Sequence, residues 1–242
     1  MRYWISNYSA CCHCERSEAI PVLQNGDCFS AKNAPRNDAW VVAWIILLSS
    51  LLLISACAPT AAQPFRETFD DAHNGWTLTQ NNQAQIVISG GQLRITVKQP
   101  DSLAWSVASG KTFGDFTLDV DATPLAGPND NDYGVIVRRV DDDNFYRFEI
   151  SGDGYFNVQK RQKGQWQKLV ADWTESNAIR KGTSTNHLRV ICTGRTFTFF
   201  VNQVQVAQVA DSAFARGEVG VLAGTLTEPG VQVAFDNFQV RK

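Results

Sequence analysis

Asp143-Asn144-Phe145-Tyr146-Arg147-Phe148-Glu149-Ile150-Ser151, followed by Gly152-Asp153-Gly154 and then Tyr155-Phe156-Asn157-Val158-Gln159-Lys160, reads as two strands joined by a tight turn. Apolar and polar side chains alternate on both sides of the turn, the period-two signature of a half-buried strand. Burying Phe148 and Ile150 together with Phe156 and Val158 sets Phe148 opposite Val158 and Ile150 opposite Phe156, because a one-residue slip would invert both faces. Gly152-Asp153-Gly154 is then a three-residue hairpin loop, with glycine available for the left-handed position. Upstream, keeping Val135 and Val137 on the buried side with Tyr146 and Phe148 places Arg138 opposite Arg147. That register leaves Asp141-Asp142-Asp143-Asn144 as a four-residue turn.

The unburied face of these three strands then carries Arg138, Arg147, Glu149, Ser151, Tyr155, Asn157 and Gln159. Cross-strand neighbours include Arg138 with Arg147 and Glu149 with Asn157. A mixed-charge patch with amides and a tyrosine suits hydrogen bonding to sugar hydroxyls. An ordinary solvated outer face would carry the same residue types, and both readings stand at this point. Trp105, Trp166 and Trp173 offer apolar faces on which a sugar ring could stack, or else pack in the core. Of these, Trp166 is the platform placed with the patch.

The same alternation recurs through the C-terminal three quarters of the chain, with turn residues every eight to twelve positions. Strands are expected around Val87–Ile88, Leu93–Val97, Phe116–Ala122, Tyr133–Val140, Asn144–Ser151, Phe156–Lys160 and Trp166–Ala171. Further strands are expected at Leu188–Cys192, Phe197–Val201, Val204–Val209, Val219–Ala223 and Val231–Phe235, with a helical turn only at Asp211–Arg216. About a dozen strands in one unit imply an all-β fold of two stacked antiparallel sheets or a barrel.

Ahead of this unit lie 58–64, a small-residue and proline tether, and 39–57, where the uncharged run Ala39–Ile54 meets Ser55-Ala56-Cys57. Leu53-Ile54-Ser55-Ala56-Cys57 resembles the lipobox of bacterial lipoprotein signal peptides. The resemblance implies cleavage before Cys57, lipid on that cysteine and an extracytoplasmic location at the cell membrane. The apolar run falls short of the ~20 residues that span a bilayer; an uncleaved anchor is the alternative, and it exports the same domain. Residues 1–38 hold four of the six cysteines without an apolar pattern. They resemble translated repeat DNA and are set aside as a non-native or disordered leader, with translation expected to start later.

The exported part keeps the net charge of −2 of the whole chain, since four basic and four acidic residues precede Cys57. No basic stripe exists for a phosphate backbone, which excludes nucleic acid as a partner. Cys192 sits in a strand register and reads as a small buried hydrophobe. The exported part holds no nucleophile–His–acid order, phosphate loop or dinucleotide fingerprint.

One ordered set of motifs narrows the fold. Phe69-Asp70-Asp71 with Gly75-Trp76, Phe113-Gly114-Asp115-Phe116 and Gly127-Pro128-Asn129-Asp130-Asn131-Asp132-Tyr133-Gly134 precede Asp143 to Ser151. Asn186-His187-Leu188-Arg189-Val190, Gly217 to Val221 and Phe235-Asp236-Asn237-Phe238 follow. Together they resemble the concanavalin A-like lectin/glucanase sandwich, nearest the bacterial branch labelled 3-keto-disaccharide hydrolase-like or domain of unknown function. The resemblance covers about 65–242 and implies a two-sheet antiparallel jelly roll whose curved sheet often binds carbohydrate. It requires no cofactor; it allows a structural calcium near the chain ends, with Glu67 and Asp236 as candidate ligands. Glycosidases of this fold carry Glu-x-Asp-x-Glu on one strand, whereas Thr117-x-Asp119-x-Asp121 lacks the first carboxylate. Glu149 has no acidic neighbour on its own strand face, so catalysis is not expected.

The function expected is a lipid-anchored, carbohydrate-binding (lectin-like) module, with a membrane contact through its lipid, a cell-surface glycan as partner and an oligomeric state left open. Its binding residues are Arg138, Arg147, Glu149, Tyr155, Asn157, Gln159 and Trp166. The alternatives are a glycoside-processing hydrolase of the 3-keto-disaccharide hydrolase or laminarinase type and a non-catalytic structural or partner-docking lipoprotein.

Overall fold

Alternating apolar residues build strands throughout, and no helix occurs among the described residues, 64–71 and 75–242, of this computed structural model. The leader, the hydrophobic run with Cys57 and most of the tether lie outside the described residues. The chain runs through β1 (Phe65–Glu67), β2 (Thr79–Gln80), β3 (Ala84–Ile88), β4 (Leu93–Val97), β5 (Leu103–Val107), β6 (Phe116–Ala126), β7 (Asp132–Asp141) and β8 (Asn144–Ser151). It continues through β9 (Tyr155–Gln162), β10 (Gln165–Lys168), β11 (Thr174–Glu175), β12 (Asn186–Thr193), β13 (Thr196–Val201), β14 (Val204–Ala210), β15 (Glu218–Gly224) and β16 (Val231–Arg241).

These strands form two antiparallel sheets. The nine-stranded sheet has the order β14-β13-β12-β6-β16-β4-β3-β2, with β1 added beside β16. The seven-stranded sheet has the order β10-β9-β8-β7-β15-β5, with β11 added beside β9. Neighbours distant in sequence, such as β7 with β15 and β6 with β16, make this the expected jelly-roll sandwich. The short strands β1, β2 and β11 and the weakly alternating β5 escaped the period-two reading.

The core lies between the sheets. Leu118, Val120, Leu188, Val190 and Phe199 face Val135, Tyr146, Phe148, Val158 and Val221, all buried. Aromatic pairs bridge the layers, Phe148 to Phe199 with centroids 4.9 Å apart and Tyr146 to Phe197 at 4.5 Å. Cys192 is buried as expected, and burial pushes its thiol up to about 12.

The hairpin of β8 and β9 has the register read from the sequence, Phe148 opposite Val158 and Glu149 opposite Asn157. Its loop is the expected three residues, with Gly154 at φ +106°. The β7–β8 pair departs from expectation. Val135 faces Phe148 and Val137 faces Tyr146, and pairing resumes only at Asp141 opposite Asn144. Three residues of β7 therefore oppose Phe145 alone, a bulge that adds local twist. The turn shrinks to Asp142-Asp143, because Asp141 Oδ1 accepts Asp143 N–H at 2.8 Å and Asn144 Nδ2–H at 2.7 Å.

This bulge corrects the placement of Arg138. With φ +49° the residue leaves the alternation, and its side chain is 1% exposed. Its Nε and Nη2 donate to Gly114 O at 3.1 and 3.0 Å, and its Nη1 to Gly194 O and Phe214 O at 2.8 and 3.2 Å. The guanidinium lies 4.8 Å from the Phe197 centroid and pairs with Asp115 at 3.2 Å. Arg138 ties three loops together and is not part of the outer face.

The expected helical turn at Asp211–Arg216 is also absent. Asp211 takes the Ala213 N–H at 2.8 Å on its own carboxylate, while also accepting from Tyr146 Oη and Lys160 Nζ. A side chain that captures a nearby backbone donor competes with helix formation.

Candidate functional site

The outer face of the seven-stranded sheet is organised in cross-strand rows. One row runs Gln159, Arg147, Ile136, Gly220, Val107. The next runs Asn157, Glu149, Gly134, Leu222, Trp105. A third pairs Ser151 with Asp132 and ends at Tyr155 on β9. Trp166 lies opposite Arg161, itself opposite Phe145.

The face divides into an apolar and a polar half. Ile136, Phe145 and Leu222 form a small cluster of their own, with Leu103 and Trp105 packed against it. Phe145 joins the halves, lying 5.8 Å from Trp105 and edge-on to Trp166 at 5.6 Å. Trp166 is 41% exposed, and the Arg147 guanidinium sits 4.0 Å from its ring centroid. A cation over an indole face is attracted by the ring quadrupole, so each side chain holds the other in place.

Beneath this stack lies Glu149, 0% exposed. Arg147 Nη1 approaches its Oε2 at 3.0 Å, and Asn157 Nδ2 donates to its Oε1 at 3.3 Å. Arg147 Nη2 donates to Gln159 Oε1 at 2.8 Å, and Nη1 lies 3.7 Å from Asp132 Oδ2. Burial drives the Glu149 carboxyl well above its ordinary value; the neighbouring Asp132 carboxyl adds to the rise, against Arg147 and Asn157. Asp132 extends over Gly224, where any Cβ would collide with its Oδ1.

Of the residues read from the sequence, Arg147, Glu149, Tyr155, Asn157, Gln159 and Trp166 do share this face. Glu149 and Asn157 are covered rather than presented to solvent, because Arg147 closes over them. Asp132 was missed. The β7–β8 register brings it beside Ser151, diagonal to Glu149, so Glu149 does have an acidic neighbour, on the adjacent strand. Trp105 joins through β15, a strand more than a hundred residues away in sequence.

The other acidic motif lies on the nine-stranded sheet. Asp119 and Asp121 grip His187, with Nε2 at 3.1 Å and Nδ1 at 2.7 Å. Arg189 and Arg241 also pair with Asp119. Asp119 and Asp121 are thus engaged by His187, and Asp119 also by two arginines.

The candidate calcium ligands are each engaged by neighbouring protein donors. Glu67 is buried and accepts from Phe69 N at 2.7 Å and Trp76 Nε1 at 3.3 Å, while Asp236 accepts from Asn237 N at 2.6 Å. Calcium takes six to eight oxygens, and among the described residues no group of three or more His, Cys, Asp or Glu side chains gathers for a metal.

These features define a jelly-roll domain of the architecture shared by carbohydrate-binding modules and glycoside hydrolases. The model of the 3-keto-alpha-glucoside-1,2-lyase-like domain matches residues 64–241, and the chain belongs to that family. No curated protein matches it in sequence. Among solved structures it is similar to the carbohydrate binding module CBM66 from Bacillus subtilis, with TM-score 0.55 and 20% identity over 70% of this chain and 96% of that one. It is also similar to the Bacillus licheniformis beta-glucanase, with TM-score 0.56 and 10% identity over 74% of this chain and 98% of that one. At these identities the likeness is one of fold.

Proposed function

We propose that this protein is a lipid-anchored, extracytoplasmic carbohydrate-binding module whose site is the outer face of the seven-stranded sheet. One observation carries the reading. Arg147 is fixed between the half-exposed Trp166 ring and the buried Glu149 carboxyl, beside Gln159, so a guanidinium, an amide and an aromatic platform stand together on one face. Sugars need this combination, polar edges for hydroxyls and an apolar face for the ring. The pair is held in place before a ligand arrives, which lowers the ordering cost of binding. The family description and the CBM66 likeness support carbohydrate as the ligand class, with α-glucosides the first to try.

Titration of the full chain against α-glucosides should give affinity near ~1 mM, about −4 kcal/mol. Trp166→Ala and Arg147→Met should each abolish it; retention in both places the site elsewhere. The anchor rests on the Leu53–Cys57 pattern, and Cys57→Ser should abolish lipid labelling. An unmodified Cys57 in membrane-extracted protein would refute the anchor.

A second reading is glycoside processing, favoured by one observation, the raised Glu149 carboxyl beside Asp132. Two neighbouring carboxyls, one of them pushed up by burial, form the kind of pair that acid catalysis uses. It predicts release of sugar from a 3-keto-α-glucoside by the full chain and its loss in Asp132→Asn. No turnover with intact binding leaves the module reading alone.

A further inference from the structure

At the end of the outer face beyond Tyr155, four loops border an open cavity of about 310 Å³. Its walls are Asp130, Ser151, Asp153, Tyr155, Trp173 and Leu226. Trp173 is set by the short strand that follows it, where Glu175 pairs with Tyr155, and by Asp172 Oδ1, which accepts the Trp173 N–H at 3.0 Å. Ser151 ties the hairpin loop from inside. Its hydroxyl donates to Asp153 Oδ1 and accepts the Tyr155 N–H at 3.2 Å. Leu226 is held by its carbonyl, which accepts from Asp101 N at 2.7 Å, yet its side chain remains exposed.

The chemistry of this cavity differs from that of the Arg147 patch. Two aromatic rings and a leucine give apolar walls, while two carboxylates and a hydroxyl supply the polar groups. No cationic side chain lines it. Lys181, packed against Gly154, pairs with Glu175 at 3.3 Å, and the guanidinium facing Asp132 is Arg147. Ionised carboxylates only accept hydrogen bonds, so a ligand entering here must bring donors and no negative charge. Neutral sugar rings do so, with hydroxyls on the edge and an apolar face. Uronates and sulfated sugars do not.

We propose that this cavity is a second sugar subsite, selective for a neutral ring and continuous with the Arg147–Trp166 patch, so that the protein binds an oligosaccharide. The inference rests on the carbohydrate-binding reading above and adds its length and charge selectivity. Along β9, Gln159 beside Arg147 and Tyr155 at the cavity mouth are four residues apart, about 13 Å at strand spacing. That span needs a short chain of sugars and exceeds one ring.

Calorimetric titration of the full chain with α-linked glucose oligomers of one to four units tests this, with melting curves confirming that every variant is folded. Affinity should rise at least about tenfold from the monomer to the tetramer, and Trp173→Ala should remove the rise, since a stacked aromatic is worth about three- to tenfold or more. Oligomers carrying a uronate at both ends, so that one must enter the cavity, should lose the gain in the natural chain. The double variant Asp130→Asn with Asp153→Asn should restore it. Equal affinity for all lengths, or uronate oligomers bound as well as neutral ones, overturns the subsite while leaving the Arg147 patch standing. Absence of binding to every oligomer overturns both readings.

Discussion

Replacing Arg138 by alanine distinguishes the two placements of this residue sharply. On a regular β7–β8 ladder Arg138 would be a surface residue facing Arg147, and Arg138→Ala would leave stability within about 0.5 kcal/mol. In the structure the side chain is 1% exposed and donates to the carbonyls of Gly114, Gly194 and Phe214. Truncation strips three loop carbonyls of a charged donor, at about 1–3 kcal/mol for each acceptor left unsatisfied. Water entering the space offsets part of this, and the exposed Asp115 partner adds little. The net cost should be about 3–5 kcal/mol, the range for breaking a buried charged network. For a domain of this size that lowers the melting temperature by about 6–20 °C. Arg138→Lys keeps the charge but cannot span three carbonyls with a planar fork, so it should fall between. Thermal melts with urea unfolding give the measurement. A change in melting temperature below about 2 °C for Arg138→Ala would refute the bulge and the burial that follows from it.

Three further outcomes are expected. Phe148→Ala should cost about 3–5 kcal/mol because its ring is fully buried against Phe199; a loss below about 1.5 kcal/mol in urea unfolding would contradict that packing. Gly224→Ala should cost about 1–3 kcal/mol, since the new methyl group collides with the Asp132 carboxylate. A silent substitution there would mean that the Asp132 carboxylate is not held over β15. His187 is raised above its ordinary 6.5 first by its bond to Asp119 and then by Asp121, against burial, with Arg189 and Arg241 the cations nearby. A raised folded value contributes stability below pH 6.5 that is lost as pH rises through the folded value. Glu149 pulls in the same direction, so the measurement is the melting-temperature gap between the natural chain and His187→Gln. It should narrow on going from pH 5.5 to 9, and a constant gap would contradict the His187–Asp119 linkage.

Local pattern reached a long way in this chain. Alternation over Phe145–Ile150 and Phe156–Val158 determined the β8–β9 hairpin to the residue, because burial of one face excludes a one-residue slip and the Gly152-Asp153-Gly154 turn excludes a two-residue one. The ordered motifs from Phe69 to Phe238 were enough for the jelly roll. Alternation also put Arg147, Glu149, Asn157 and Gln159 on one face. It could not set the β7–β8 register, since shifts of two residues bury the same side chains, Val135 and Val137, and differ only in where a bulge falls. That bulge turned Arg138 inward and brought Asp132 beside Glu149. Nor could alternation join Trp105 to this face or cover Glu149 with the Arg147–Trp166 stack. The second follows from the Lys163-Gly164 turn that pairs β10 with β9, while the first depends on β15 lying between β7 and β5. Strand order of that kind is settled by the packing of whole sheets, where partners far apart in sequence compete for the same edges.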